Sequence, residues 1–270
     1  MKLSAMNSHY RYYSLNTFFK TISSLGFDAC EIWTSPHHFF VDYQQYDDPF
    51  ALKTHAEHFG LQIIAICPEQ TNPKPHNMAT GSLEQQNRVY AYFRNMIDIA
   101  HTVAANLVVV TSGWAFYDEP LEAAYQRSVA MMRRLCIYAQ AKGILLAIEA
   151  LQPYESRLVN TVQDLKAYQD AVACENLKIC LDLGAMTQAE EIIDDYFNVF
   201  KEDIVHVHFV DSGHCAWGDG HRNMQEDLTK FNQYKYQGYY SLETAKQCYE
   251  AKPGDADLQS LTKYKEQGGI

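Results

Sequence analysis

The chain has 270 residues, 47% of them apolar, enough to bury a large core in one domain spanning 1–270. Its formal net charge of −11 excludes a nucleic-acid-binding or anionic-membrane surface, because phosphate recognition needs clustered cations; a small anionic substrate needs only a few. The seven cysteines are odd in number and contain no C-x-x-C pair, so they read as reduced thiols of a cytoplasmic protein; MKLSAMNSHYRYY lacks the apolar core of a secretion signal, and no membrane span is expected.

Along the chain, short apolar runs alternate with longer amphipathic stretches. The predicted strands are KLSAM (2–6), DACEIW (28–33), LQIIAIC (61–67) and LVVVTS (107–112), then ILLAIE (144–149), LKICLD (177–182), IVHVHFV (204–210) and YYSLE (239–243). Between them lie helical patterns such as LEQQNRVYAYFRNMIDIAHTVA and LEAAYQRSVAMMRRLCIYAQAKG, the second closed by Lys142-Gly143. Gly26, Gly60 and Gly143 each stand just before a strand, where a left-handed residue ends a helix. Eight buried strands alternating with helices in this length predict a single (β/α)₈ barrel. The competing open sheet lacks a G-x-G-x-x-G after its first strand.

Such barrels carry their chemistry at the carboxyl ends of the strands. The fifth to eighth predicted strands end in or near Glu149, Asp182, His208 and Glu243, each about one strand–helix unit apart. Singly, each has an ordinary reading: Asp182 as a helix cap, either Glu as a solvated loop residue, and either His206 or His208 as a core histidine. His206, deeper in the barrel, is expected to take that last role. Together, four charged groups on neighbouring apolar strands are costly unless paired or metal-bound. Three carboxylates and one imidazole suit Mn²⁺, Mg²⁺ or Co²⁺ better than structural Zn²⁺.

At these residues the sequence resembles the sugar isomerase/epimerase superfamily of xylose isomerase, the tagatose and psicose 3-epimerases and endonuclease IV. Within it, the likeness is to fructoselysine 3-epimerases and to the tagatose and psicose enzymes. EIWTSPHHF (31–39), PEQTNPKPHNM (68–78), IEALQPYES (148–156), HVHFVDS (206–212) and SLET (241–244) carry it. The resemblance implies one divalent metal, with Mn²⁺ foremost and Co²⁺, Ni²⁺ or Mg²⁺ as alternatives, held by Glu149, Asp182, His208 and Glu243. It implies that Glu149 and Glu243 also shuttle protons on opposite faces of a ketose, and that Glu155 binds sugar hydroxyls. Two positions depart from the tagatose-type pattern. Ala185 stands in place of a His and His214 in place of an Arg, which favours a substrate substituted at C1. The W-G-D-G of 217–220 replaces the usual P-G-x-G. An aldose–ketose isomerase and a non-catalytic sugar-binding protein are the alternatives. The three-metal, DNA-binding reading of endonuclease IV conflicts with the charge.

Further pocket candidates are Trp33 and His38 (with His37) after the second strand, Glu69 after the third, and His9 after the first. His76 and Asn77 lie in the TNPKPHNM loop, readable as a substrate cover or as a rigid turn. Trp114, Phe116 and Tyr117 suit either a sugar or a second copy in a homo-oligomer.

Overall fold

The computed structural model describes residues 2–70 and 73–268, so Thr71 and Asn72 of the TNPKPHNM loop lie outside the described residues. Eight strands close into one parallel barrel: β1 (Lys2–Met6), β2 (Ala29–Trp33), β3 (Gln62–Cys67), β4 (Leu107–Val110), β5 (Leu145–Ile148), β6 (Leu177–Asp182), β7 (Ile204–His208) and β8 (Tyr239–Leu242). The ring closes where β8 pairs in parallel with β1, from Lys2 opposite Tyr239 to Ala5 opposite Leu242.

Helices α1 (Leu15–Leu25), α2 (Pro49–His58), α3 (Leu83–Val103), α4 (Leu121–Ala141) and α5 (Val162–Val172) follow the first five strands. Two short helices, α6 (Leu183–Gln188) and α7 (Ile193–Phe200), connect β6 to β7; α8 (Met224–Gln233) and α9 (Pro253–Glu266) complete the outer layer. Their starts are set locally. Ser14 caps α1 through Thr17 N, Asp48 caps α2 through Phe50 N ahead of Pro49, and Thr161 forms a capping box with Asp164. Gly26, Gly60 and Gly143 have φ of +93°, +72° and +71°, the left-handed positions expected of them.

The core has two layers because strand side chains alternate. Ile32, Ile66, Val108, Ile148, Leu181 and Leu242 face the helices, where Phe18, Tyr92, Leu135 and Phe231 meet them. Met6, Ala29, Ala65, Val109, Ala147 and Cys180 fill the barrel interior. The interior also contains Glu31, His206 and His208, all at most 1% exposed, so the barrel axis is not wholly apolar. No helix among the described residues is long and apolar enough to cross a membrane.

Candidate metal centre and sugar pocket

The strand ends converge as the barrel geometry requires. Asp182 closes β6, His208 closes β7, and Glu149 and Glu243 each follow the last residue of β5 and β8. Glu149 N still donates to Val110 O at 3.1 Å, which fixes its backbone to the neighbouring strand. One ligand atom from each of the four residues lies within 4.8 Å of the others.

His208 Nδ1 is 3.0 Å from Glu149 Oε2 and 2.9 Å from Glu243 Oε2. Yet these three buried atoms make no hydrogen bond of acceptable geometry. Buried polar atoms are normally satisfied, so this convergent set fits a bound cation. The donors, three carboxylates and an imidazole, suit a hard divalent ion.

Two overlapping clusters are poorer cages. In one, Glu149 and His208 are joined by Cys180, whose soft sulfur suits a hard divalent ion less well than the Asp182 and Glu243 carboxylates do. In the other, Glu31 is already engaged: its Oε2 meets His206 Nε2 at 2.7 Å and its Oε1 meets His208 Nε2 at 3.3 Å. Burial alone would raise the Glu31 carboxyl, but the two histidines outweigh it and keep Glu31 ionised. His206 is thus the hydrogen-bonded interior histidine, while His208 is held from behind with Nδ1 facing the other carboxylates. Glu31 is a member of this centre that strand-end reasoning missed; a charge within the apolar run DACEIW was its signal.

Asp182 does two jobs at once. Its Oδ1 accepts from Gly184 N at 2.7 Å as the cap of α6, and its Oδ2 faces His214 Nε2 at 3.1 Å. Burial opposes ionisation of Asp182, but His214 outweighs it and brings the carboxyl below its usual range. His214, at φ +56°, lays its ring over Gly184; a Cβ on Gly184 would lie 2.7 Å from His214 Cε1. Burial disfavours charge on His214, but Asp182, Glu243 and Glu155 raise it to about 10. Burial raises Glu149 to about 7 despite the opposing pull of His208.

Above this floor lies a cavity of about 320 Å³, lined by Trp33, Gln70, Glu149, Tyr154, Glu155, His214 and Glu243 among others. That volume is at the small-ligand end of the usual range. Trp33 forms a wall, its backbone gripped by Asn7 through Trp33 N to Oδ1 (2.7 Å) and Nδ2 to Trp33 O (2.9 Å). Glu155 Oε2 accepts from Gln152 N at 3.1 Å, and burial raises its carboxyl pKa.

Three expected pocket residues are not brought to the cavity. His9 belongs to a turn, Asn7–His9, that directs it outward to Asp257 of α9, with Nε2 3.2 Å from Oδ1. His38 uses both ring nitrogens elsewhere, on Asn7 Nδ2 (2.8 Å) and Tyr13 O (2.9 Å). Glu69 turns to Lys74, 2.9 Å away, and its neighbour Gln70 lines the cavity instead, donating to Val109 O at 3.1 Å.

His76 stacks on Tyr92, centroids 3.5 Å apart and planes 2° from parallel, and Asn77 Oδ1 accepts from Ala79 N and Trp114 N. His76 and Asn77 are thus braced against the fold. The 217–220 loop is organised by buried Asp211, whose carboxylate accepts from the backbone N of Ser212, Gly218, Gly220 and Arg222. Phe116, Tyr117 and Tyr154 are exposed and, with Trp114 and Pro73, border a second crevice beside the cavity.

Residues 19–264 match the family profile described as "Xylose isomerase-like TIM barrel". A fructoselysine 3-epimerase of Shigella flexneri is 28% identical over 83% of each chain, and a D-psicose 3-epimerase of Ruminiclostridium cellulolyticum is 24% identical over 76% of this chain and 67% of its own. Among solved structures, a D-psicose 3-epimerase with D-tagatose from Clostridium cellulolyticum superposes with a TM-score of 0.82 at 17% identity, covering 98% of this chain and 99% of that one. The apo form of a 3-keto-D-glucoside 4-epimerase from E. coli gives 0.76 at 17% identity, covering 96% and 99%.

Proposed function

The chain belongs to the xylose isomerase-like TIM barrel family, and on that footing we propose that it is a metal-dependent C3 epimerase of a ketose or ketosamine of the fructoselysine–psicoselysine kind. The observation that carries the proposal is the orphaned, convergent set of Glu149, His208 and Glu243 beside Asp182, at the floor of a cavity of sugar size. Relatives and structural neighbours are epimerases, and the chain is an enzyme of that carbohydrate-epimerase class. Its seven free cysteines fit a cytoplasmic setting.

Glu149, Asp182, His208 and Glu243 would hold the metal, Mn²⁺ in this proposal, with Co²⁺, Ni²⁺ or Mg²⁺ able to replace it. Bound there, the ion supplies Lewis acidity for charge developing on the ketose oxygens. The remaining work falls to the chain. Glu149 and Glu243 stand on strands three places apart around an eight-stranded ring, so they reach a substrate from different sides. One removes the C3 proton, giving an enediolate, and the other returns a proton to the opposite face. Burial favours the protonated form of the Glu149 carboxyl, and a bound metal would oppose it, so exclusion of water must keep the carboxylate basic enough to take the proton. Glu155 and His214 are placed to bind sugar hydroxyls, and Trp33 to exclude water from one side. Ala185 and His214, in the places where tagatose-type enzymes carry His and Arg, support a substrate with a C1 substituent.

The test is a screen of ketoses and ketosamines in D₂O with added Mn²⁺, following deuterium at C3 by NMR. Deuterium should enter C3 with net epimerisation, and kcat/KM should be higher for a C1-amino ketose than for free fructose, tagatose or psicose. EDTA should abolish the exchange and Mn²⁺ restore it, and Asp182→Ala or His208→Ala should lose the metal. Full activity in a verified metal-free sample overturns the metal. Exchange confined to C1 and C2 identifies an aldose–ketose isomerase, and bound metal with no exchange identifies a sugar-binding protein.

A further inference from the structure

Taking the epimerase reading as its basis, we infer that the substrate carries an anionic group, a carboxylate or phosphate, which Arg11 and Lys246 receive at the β1–β8 side of the cavity mouth. Both residues line the cavity that ends at Glu149 and Glu243. The chain as a whole is acidic, and the cavity floor adds Asp182 and Glu155 to the two catalytic carboxylates, so two cations at its mouth run against the local balance.

Both cations are only partly engaged by the fold. Arg11 donates through Nε to Ser8 O at 3.2 Å and lies with Cζ 5.0 Å from the centre of the Trp33 ring. Its nearest carboxylate, Glu250, is 3.6 Å from that same Nε, and its Nη atoms make no hydrogen bond among the described residues. Lys246 has no carboxylate within 4.0 Å among the described residues, and its ammonium meets the Cys215 thiol; it lies over Gly213, where an added Cβ would be 3.6 Å from Nζ.

The carriers are rigid. Ser8 Oγ donates to Thr244 O at 2.7 Å and Ala245 N donates to His214 O at 3.1 Å, tying together the loops after β1, β7 and β8. Stacking on Trp33 holds the Arg11 guanidinium with its fork unspent, and a planar fork matches carboxylate and phosphate oxygens. The field is therefore polar along the cavity, cationic at the mouth and anionic at the floor. An anionic substituent is repelled from the floor and held at the mouth, which leaves the neutral ketose end over Glu149 and Glu243. The two residues are thus specificity determinants for the substituent.

The experiment compares four probes by C3 deuterium exchange at low and high salt: free fructose and fructose 6-phosphate, which differ by the phosphate, and an N-propyl and an N-carboxymethyl ketosamine, which share a protonated amine and differ by the carboxylate. Wild type should favour at least one anionic probe over its anion-free partner, the N-propyl ketosamine for the carboxymethyl probe and free fructose for the phosphate, by roughly 10- to 100-fold in kcat/KM, the range for hydrogen bonds to charged groups. The preference should shrink with salt. In Arg11→Gln and Lys246→Gln that ratio should fall toward one. A larger gain for the carboxymethyl probe identifies an amino-acid adduct, and a larger gain for the phosphate identifies a sugar phosphate. Equal rates on the anionic probes and their anion-free partners, or a ratio unchanged in both variants, overturn the inference. Exchange on none of the four probes removes the epimerase reading instead. Calorimetric binding of the two anionic probes to wild type and to the doubly substituted chain then decides the subsite alone: equal binding overturns it and weaker binding by the variant supports it.

Discussion

Glu31→Gln isolates what lies behind the proposed metal. Glu31 is fully buried and accepts from two imidazoles, at 2.7 Å from His206 Nε2 and 3.3 Å from His208 Nε2. With both Nε2 atoms protonated toward it, His208 presents a lone pair at Nδ1, the form a metal requires. A glutamine has one oxygen that can accept and an amide that can only donate, so one imidazole N–H loses its acceptor. A buried donor left without a partner costs about 1–3 kcal/mol. For a chain of this size that is a fall in Tm of several degrees. The larger effect is on the metal: losing the partner that orients a ligating histidine typically weakens binding about 10- to 100-fold. The assay is competition against a chromophoric chelator, with Tm measured on metal-free and metal-loaded protein. Glu31→Gln should bind metal at least about tenfold more weakly and gain less Tm on loading. A folded variant with unchanged metal affinity refutes the role assigned to Glu31.

Other expectations follow from the same coordinates. Glu149→Gln and Glu243→Gln should each lower net epimerisation by at least about 100-fold while still exchanging the C3 proton of one epimer, a different one for each, in samples of measured metal content; a loaded Glu243→Gln enzyme that interconverts both epimers normally rules out two bases. Gly113→Ala should cost at least about 1–3 kcal/mol, because φ is +75° and the new Cβ would lie 2.4 Å from Asn77 Oδ1 and 2.8 Å from Met78 N; a wild-type melting curve contradicts this. Burial against Tyr92 lowers His76 to about 4. The unfolded chain binds that proton at the ordinary value near 6.5, so the His76 contribution to stability is complete above that pH and is lost as pH falls toward 4. NMR titration of the ring should give a midpoint well below 6.5, and a midpoint at the ordinary value would show that the stack is open in solution.

What could be read in the sequence, and what could not, divides along the range of the contacts involved. Strand periodicity placed all eight strands, though six runs overrun their ladders: DACEIW, LQIIAIC and YYSLE by one residue, and LVVVTS, ILLAIE and IVHVHFV by two, where the burial continues past the last paired residue. Glu149, Asp182, His208 and Glu243 were legible because a parallel barrel brings successive strand ends to one rim, whatever the loops do. The residues after those ends obey no such rule. His9 is drawn outward by Asp257, and His38 is held by Asn7 and Tyr13, partners 248, 31 and 25 positions away that no local pattern encodes. Glu69 pairs only five residues away, with Lys74, but the direction of that turn depends on Tyr92, whose hydroxyl donates to Glu69 O at 3.2 Å from α3. Arg11 and Lys246 come from opposite ends of the sequence and share a cavity only because β8 pairs with β1. A metal cage can therefore stay on the strand ends while loop contacts select the substrate. For that reason Ala185 and His214, which follow the proposed ligands Asp182 and His208 in the chain, could be read as departures from a pattern, whereas the cations at the mouth required the closed ring.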